Sequence, residues 1–284
     1  MNAARTIARL GLQEALRRRV FLIVALLTVA YLILYGLGTW QAFESTQGES
    51  VMFRGVDADV VAGATLLGLN MFGTLFLGTI LAVFLTLGAV RGDAERGLLQ
   101  PLLVRPVPRR TLLAARFASA ALVCGAYVIV VFLIATVITW ALGGWWPDRT
   151  LEPAIGLAAA VAILCALSLA GSVFLASTAN GIAVFMVFGA GLAAGLLGQV
   201  GEALSSDTLG NIASIASWAL PFEALYQSAL HSLTADISGV TGVAVSLGPF
   251  GGAQDASALL WPYALGYLLL VGAAADAIFR RSDL

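Results

Sequence analysis

The sequence predicts an all-α membrane protein of six transmembrane helices, with an interfacial helix before the first span and external amphipathic helices between spans five and six. Three observations predict it. Of 284 residues, 60% are hydrophobic and only 11% charged, which is more apolar surface than one soluble core can hide. Six apolar stretches reach the roughly 20 residues that cross a hydrocarbon layer about 30 Å thick. The arginines also fall almost entirely on one side of the alternating loops that those stretches define.

Residues Asn2 to Arg19 carry five arginines, end in Arg17, Arg18 and Arg19, and read as a cytoplasmic interfacial helix occupying residues 1–19. On a helical wheel Arg5 and Arg9 share a side with Leu12 and Leu16, so these arginines must snorkel. The run from Arg18 to Leu22 is also similar to a twin-arginine export signal. The apolar stretch to Trp40 is longer than the roughly 7–15 residues of a signal h-region and lacks an A-x-A site, so an uncleaved first span is expected.

The transmembrane domain, residues 20–284, is expected to hold spans near Val20–Trp40, Thr65–Val90, Leu112–Leu142, Pro153–Thr178, Ile182–Leu204 and Ala258–Phe279. Polar connections separate them: Glu44, Glu49, Asp57 and Asp59 after the first, and Trp145, Trp146, Pro147 and Asp148 after the third. Those tryptophans suit an interfacial belt. The external segment, about 205–257, begins with Ile212, Ile215, Trp218, Leu220, Phe222, Leu225, Tyr226 and Leu230, interrupted by Pro221. This spacing predicts one or two amphipathic helices lying at, or dipping into, the outer leaflet, followed by a loop from Ser238 to Asp255.

Charge sets the orientation. With the N-terminus inside, the cytoplasmic side receives five arginines before the first span, six from Arg91 to Arg116, and Arg280 and Arg281, which is thirteen of fifteen. Only Arg54 and Arg149 fall outside, and Gly201 to Ser257 has no lysine or arginine. A seventh span near Asn211 to Leu233 would put Arg280 and Arg281 outside and bury Glu223 and His231 in lipid. Six spans are therefore expected, with both termini in the cytoplasm and the chain in the cell membrane.

Several functions lose their residues. The chain has no lysine, so it has no P-loop of the form GxxxxGK[ST]. Cys124 and Cys165 sit in apolar runs without CxxC spacing and read as small buried side chains. His231 is the single histidine and the methionines are scattered, which offers no metal path. Asn70 and Gln199 are neutral, while Glu202 and Asp276 lie near span ends, with Asp276 four residues before Arg280 and able to pair with it. A gradient-driven carrier would want ionisable groups deeper in the membrane. An intramembrane hydrolase would want a buried Ser and His pair or two aspartates, and no such set is visible. Net charge of −1 points to no nucleic acid partner. Span five is rich in Gly189, Gly191, Ala193, Ala194 and Gly195, which suits close helix packing within a bundle or at a subunit interface.

The internal segment densest in charge is the cytoplasmic loop of about residues 91–111. Asp93 and Glu95 suit a helix N-terminus, Leu98, Leu99, Leu102 and Leu103 form one apolar face, and Arg105, Arg109 and Arg110 frame it with positive charge. It reads either as a docking helix or as a solvated loop whose arginines enforce topology. The run E-R-G-L-L-Q-P-L-L-V-R-P-V-P-R, Glu95 to Arg109, resembles the loop between spans two and three of ABC-2-type (type V) exporter permeases. Glu95, Gly97, Leu99, Leu102, Leu103, Pro106, Val107 and Arg109 match that family's pattern, whereas Leu98 and Pro101 depart from it. The opening from Ala8 to Gly38 is similar to the branch associated with maturation of copper enzymes such as nitrous-oxide reductase.

The resemblance implies a permease subunit of an ATP-driven exporter, paired with a second copy or a homologue and served by two separate ABC ATPase subunits. ATP and magnesium would be bound by those partners and no cofactor by this chain. Asp93, Glu95, Gly97, Leu98, Leu99, Leu102, Leu103, Arg105, Pro106 and Arg109 would couple to the ATPase. The helices from about Leu209 to Leu233 would shape the outer exit, with Trp218, Pro221, Phe222, Leu225 and Tyr226 as an external gate. Lipid, lipid-linked glycan, peptide and small molecule all stay open as cargo.

Overall fold

A hydrophobic chain in lipid must satisfy its backbone hydrogen bonds internally, and helices do so segment by segment. The computed structural model describes residues 19–46, 57–87, 109–204, 206–246, 253 and 257–281. Among these the regular structure is entirely helical: α1 Arg19–Thr46, α2 Ala58–Thr86, α3 Arg109–Gly143, α4 Leu151–Phe174, α5 Ser177–Ala203, α6 Asp207–Ala219, α7 Pro221–Thr234, α8 Gly239–Ser246 and α9 Leu260–Arg281. Six of them, α1 to α5 and α9, are long and apolar enough to span a membrane. The interfacial helix expected before Arg19 lies outside the described residues.

The spans agree with the sequence reading in number and order, and differ at their ends. Helix α2 starts at Ala58 rather than Thr65, because the Asp57 carboxylate caps it by accepting from the amides of Asp59 (3.2 Å) and Val60 (3.3 Å). Helix α4 stops at Phe174, so Thr178 belongs to α5. The stretch expected as a loop after Ser238 begins with α8, which enters through Gly239 at φ +73° and packs against α2. Its Thr241 hydroxyl accepts from the Asp57 amide at 3.0 Å.

Helix α4 is the axis of the bundle, packing against α2, α3, α5, α7 and α9. Spans two and four are the most enclosed, while spans one, five and six leave most of their length uncovered. Small residues set the close approaches: a Cβ on Gly78 of α2 would strike Val128 of α3, and one on Gly63 would strike the Trp145 ring. Hydroxyls and side-chain amides then bridge the helices. The Tyr35 and Thr139 hydroxyls lie 2.6 Å apart, Thr86 donates to Ser168 at 2.6 Å, and the Asn180 amide donates to the Ser168 carbonyl at 2.9 Å. Cys124 and Cys165 are free and fully buried, as their apolar setting predicts.

These pairings also fix direction. Tyr35 meets Thr139 and Thr28 meets Tyr127, so α1 and α3 run parallel; Thr86 meets Ser168 and Gly78 meets Val161, so α2 and α4 run parallel the other way. The start of α1, the α2–α3 and α4–α5 connections and the end of α9 therefore share one end of the bundle. The α6–α7 unit belongs to the other.

Candidate functional site

The segment after span five folds back into the bundle as a helical hairpin, and the glycines of α5 are its seat. A Cβ on Gly201 would meet the Gly210 amide nitrogen and the Leu209 Cβ at 3.0 Å, and one on Gly198 would meet the Ala213 Cβ at 3.2 Å. Helix α6 therefore runs antiparallel to α5, nearly backbone to backbone. The Leu220 amide closes α6 on the Ala216 carbonyl at 2.8 Å, and Pro221 opens α7, where its fixed φ suits a first helical turn and its missing N–H costs nothing. Helix α7 then climbs back along α4.

The hairpin tip reaches deep. Phe222, one residue past the turn, is 0% exposed and lies where a Cβ on Gly191 would be, near the middle of α5. Its ring stacks on Phe188 with centroids 6.0 Å apart, and Phe188 in turn lies 6.0 Å from Phe76 of α2. One helical turn higher, Gly156 of α4 admits the Leu225 carbonyl and Ala229. Of the five residues expected as an external gate, Pro221, Phe222, Leu225 and Tyr226 are buried together on the inner face of α7. Trp218 is not with them: it ends α6, is 62% exposed, and its carbonyl accepts from the Tyr263 hydroxyl of α9, with the two rings edge to face at 4.8 Å.

Glu223 is the residue that sequence reasoning missed. The case against a seventh span assumed that Glu223 lies outside the apolar layer. Six spans stand, yet Glu223 is only 4% exposed, beside Gly195 of α5 and above a tip level with the middle of that span. Protein rather than lipid covers it, which is how non-spanning helices and acids are tolerated at depth. Burial pushes its carboxyl above the usual range, with a hydrogen bond from Gln227 pulling the other way. Oε1 of Glu223 and Oε1 of Gln227 have no hydrogen-bonding partner among the described residues. A cavity of about 560 Å³ adjoins both, walled by Trp218 of α6 and by Leu260 and Tyr263 of α9. The signal available in the sequence was its place directly beside the apolar positions Phe222, Leu225, Tyr226 and Ala229.

At its outer end the hairpin is pinned. Arg149, in the α3–α4 connection, grips Asp236 just past α7 with Nε to Oδ2 at 2.7 Å and Nη2 to Oδ1 at 2.9 Å, and this lowers the aspartate's pKa. Their pairing puts Arg149 at the end of the bundle opposite Arg110 and Arg280, as the charge count predicts.

Of the residues assigned to ATPase coupling, Asp93, Glu95, Gly97, Leu98, Leu99, Leu102, Leu103, Arg105 and Pro106 lie outside the described residues. Arg109 opens α3. Asp276 does pair with Arg280, at 2.9 Å, and also accepts from Nε of Arg110 at 2.9 Å, a link between spans three and six that spacing along one helix cannot reveal.

Six spans with a helical hairpin folded into the bundle between the last two define a multi-pass, all-α membrane protein. The family model described as "ABC-2 family transporter protein" matches residues 5–284, and the chain belongs to that family. It is therefore a permease subunit of an ABC transporter, a transport subunit and not itself the catalyst. No individual curated protein matches it significantly.

Proposed function

We propose that this chain is the membrane half of an ATP-driven exporter in the cell membrane, with both termini in the cytoplasm. Two copies, or one copy and a homologue, flank a path that two ABC ATPase subunits drive through the 91–111 loop, with ATP and magnesium held by those partners. The hairpin carries the reading. Its tip sits beside Gly191 near the middle of span five, which suits a gate at the outer end of that path whose opening shifts α6 and α7 against spans four and five. In that motion Pro221, Phe222, Leu225 and Tyr226 form the inner wall of the gate, while Trp218 and Tyr263 tie its tip to span six. The end that holds the start of α1, the end of α2, the start of α3 and the end of α9, to which the sequence assigns thirteen of the fifteen arginines, suits an ATPase on the cytoplasmic face. The likeness of Ala8 to Gly38 to the copper-enzyme maturation branch is our reading of lineage and leaves the cargo open.

One observation favours a second reading. The buried Glu223 is the deep acid that a gradient-driven carrier needs. The two part in one experiment. Affinity isolation of the chain from its own membranes is expected to recover a soluble subunit bearing a P-loop, and Arg105→Glu with Arg109→Glu is expected to release it. A chain isolated alone that carries out flux on a proton gradient without ATP would replace the first reading by the second.

A further inference from the structure

At the end of the bundle away from the hairpin, α3 and α9 diverge over α4 and leave a groove of about 850 Å³. Its walls are small or apolar, among them Ala114, Phe117, Ala170, Leu269 and Gly272. Its mouth is not. There the Arg110 and Arg280 guanidinium groups both bond one oxygen, Oδ2 of Asp276, at 2.9 Å each. Among the described residues, two cations on one carboxylate leave a net charge of +1. The arginine side chains are 68% and 48% exposed against 17% for the aspartate, so positive charge is what the mouth presents. A guanidinium has five N–H donors, and one bond each to Asp276 leaves capacity for a second acceptor.

We infer that this groove binds an anionic phospholipid of the leaflet at the arginine-rich end, its phosphate against Arg110 and Arg280 and an acyl chain along α3, α4 and α9. Three features select that occupant. The walls run along three spans, where hydrocarbon is the solvent, and a water-soluble anion has no use for them. The net positive mouth complements an anionic headgroup, while a zwitterionic one brings its own cation to the arginines. Basic pockets between spans on the cytoplasmic side are a physically favoured seat for such headgroups, worth about 1 kcal/mol per arginine. The bound lipid is a fixed companion of the fold and not the cargo. Because Arg110 stands in the first turn of α3, where the 91–111 loop runs into that helix, occupancy props the base of span three against span six.

Native mass spectrometry of the purified full chain with phosphatidylglycerol or phosphatidylcholine tests this. Phosphatidylglycerol is expected to be retained more tightly, with affinity falling about fivefold for each arginine removed in Arg110→Gln/Arg280→Gln, the equivalent of about 1 kcal/mol apiece. If that double variant does not fold, Arg280→Gln alone decides, since it breaks only a pair within α9. Asp276→Asn leaves both cations free and is expected to strengthen binding. Equal retention of the two lipids overturns the inference. So does an Asp276→Asn variant that loses lipid as the arginine variants do, which would reduce the triad to a helix clamp, or a disulfide between Leu269→Cys residues of two copies, which would place a second chain in the groove.

Discussion

Phe222→Ala should loosen the hairpin without unfolding the bundle. In a water-soluble core a buried Phe→Ala change costs about 3–5 kcal/mol, of which about 1.5–3 is transfer from water. Here the exposed alternative is largely lipid, so the transfer part mostly drops out and lost packing remains. The ring fills the notch at Gly191 and stacks on Phe188, so its loss leaves a cavity that the rigid wall of α5 cannot close. We expect a cost of about 1–2 kcal/mol, which is about 5- to 30-fold in the opening equilibrium. The readout is maleimide labelling of Ser232→Cys, a buried position on α7, with the fully buried native Cys124 and Cys165 as internal controls. Labelling of position 232 should rise by that factor while the native thiols stay silent. An unchanged rate would refute the seat at Gly191. Labelling of all three thiols together would show that the hairpin does not open as a unit.

Two further outcomes follow from the same contacts. Gly156→Val places methyl groups against Ala229 and the Leu225 carbonyl, where backbone cannot give way, and overpacking of that kind costs about 1–3 kcal/mol; a clear drop in melting temperature by scanning fluorimetry is expected, larger than for Gly266→Val, which faces open space. Burial holds the Glu223 carboxyl above its ordinary value, so between the ordinary and the raised value the folded chain binds more protons than the unfolded one, and stability falls as pH rises through that window. Glu223→Gln should therefore melt higher than the parent at pH 7, with the gap closing towards pH 4; a constant gap would assign the effect to packing alone.

The spans were legible because lipid demands long apolar runs. Their ends were less so: α2 reaches back to Ala58 on the strength of the Asp57 cap, a polar feature that an apolar-run reading discards. The hairpin's two helices were visible in the spacing of Ile212, Trp218, Phe222, Tyr226 and Leu230, but its depth was not. Depth is set by what α5 lacks, the side chains at Gly191, Gly195, Gly198 and Gly201, and glycine in a membrane helix reads alike whether it seats a partner helix or faces nothing, as Gly189 does. Glu223 was misplaced for the same reason: its apolar neighbours Phe222, Leu225 and Tyr226 mark the face it belongs to, but how deeply that face is covered depends on those glycines. The Arg110 to Asp276 link joins residues far apart in sequence and depends on how α3 and α9 approach across α4.

The central claim is that ATP turnover by a partner moves the hairpin. A Cβ on Gly198 would stand 3.2 Å from that of Ala213, a few tenths of an ångström inside the roughly 3.5–4.5 Å of a disulfide, so a small outward shift lets a bond join α5 and α6. In vesicles holding Gly198→Cys/Ala213→Cys together with the recovered ATPase subunit, hydrolysis should fall on oxidation and return with reductant. Hydrolysis that ignores the lock would contradict the account.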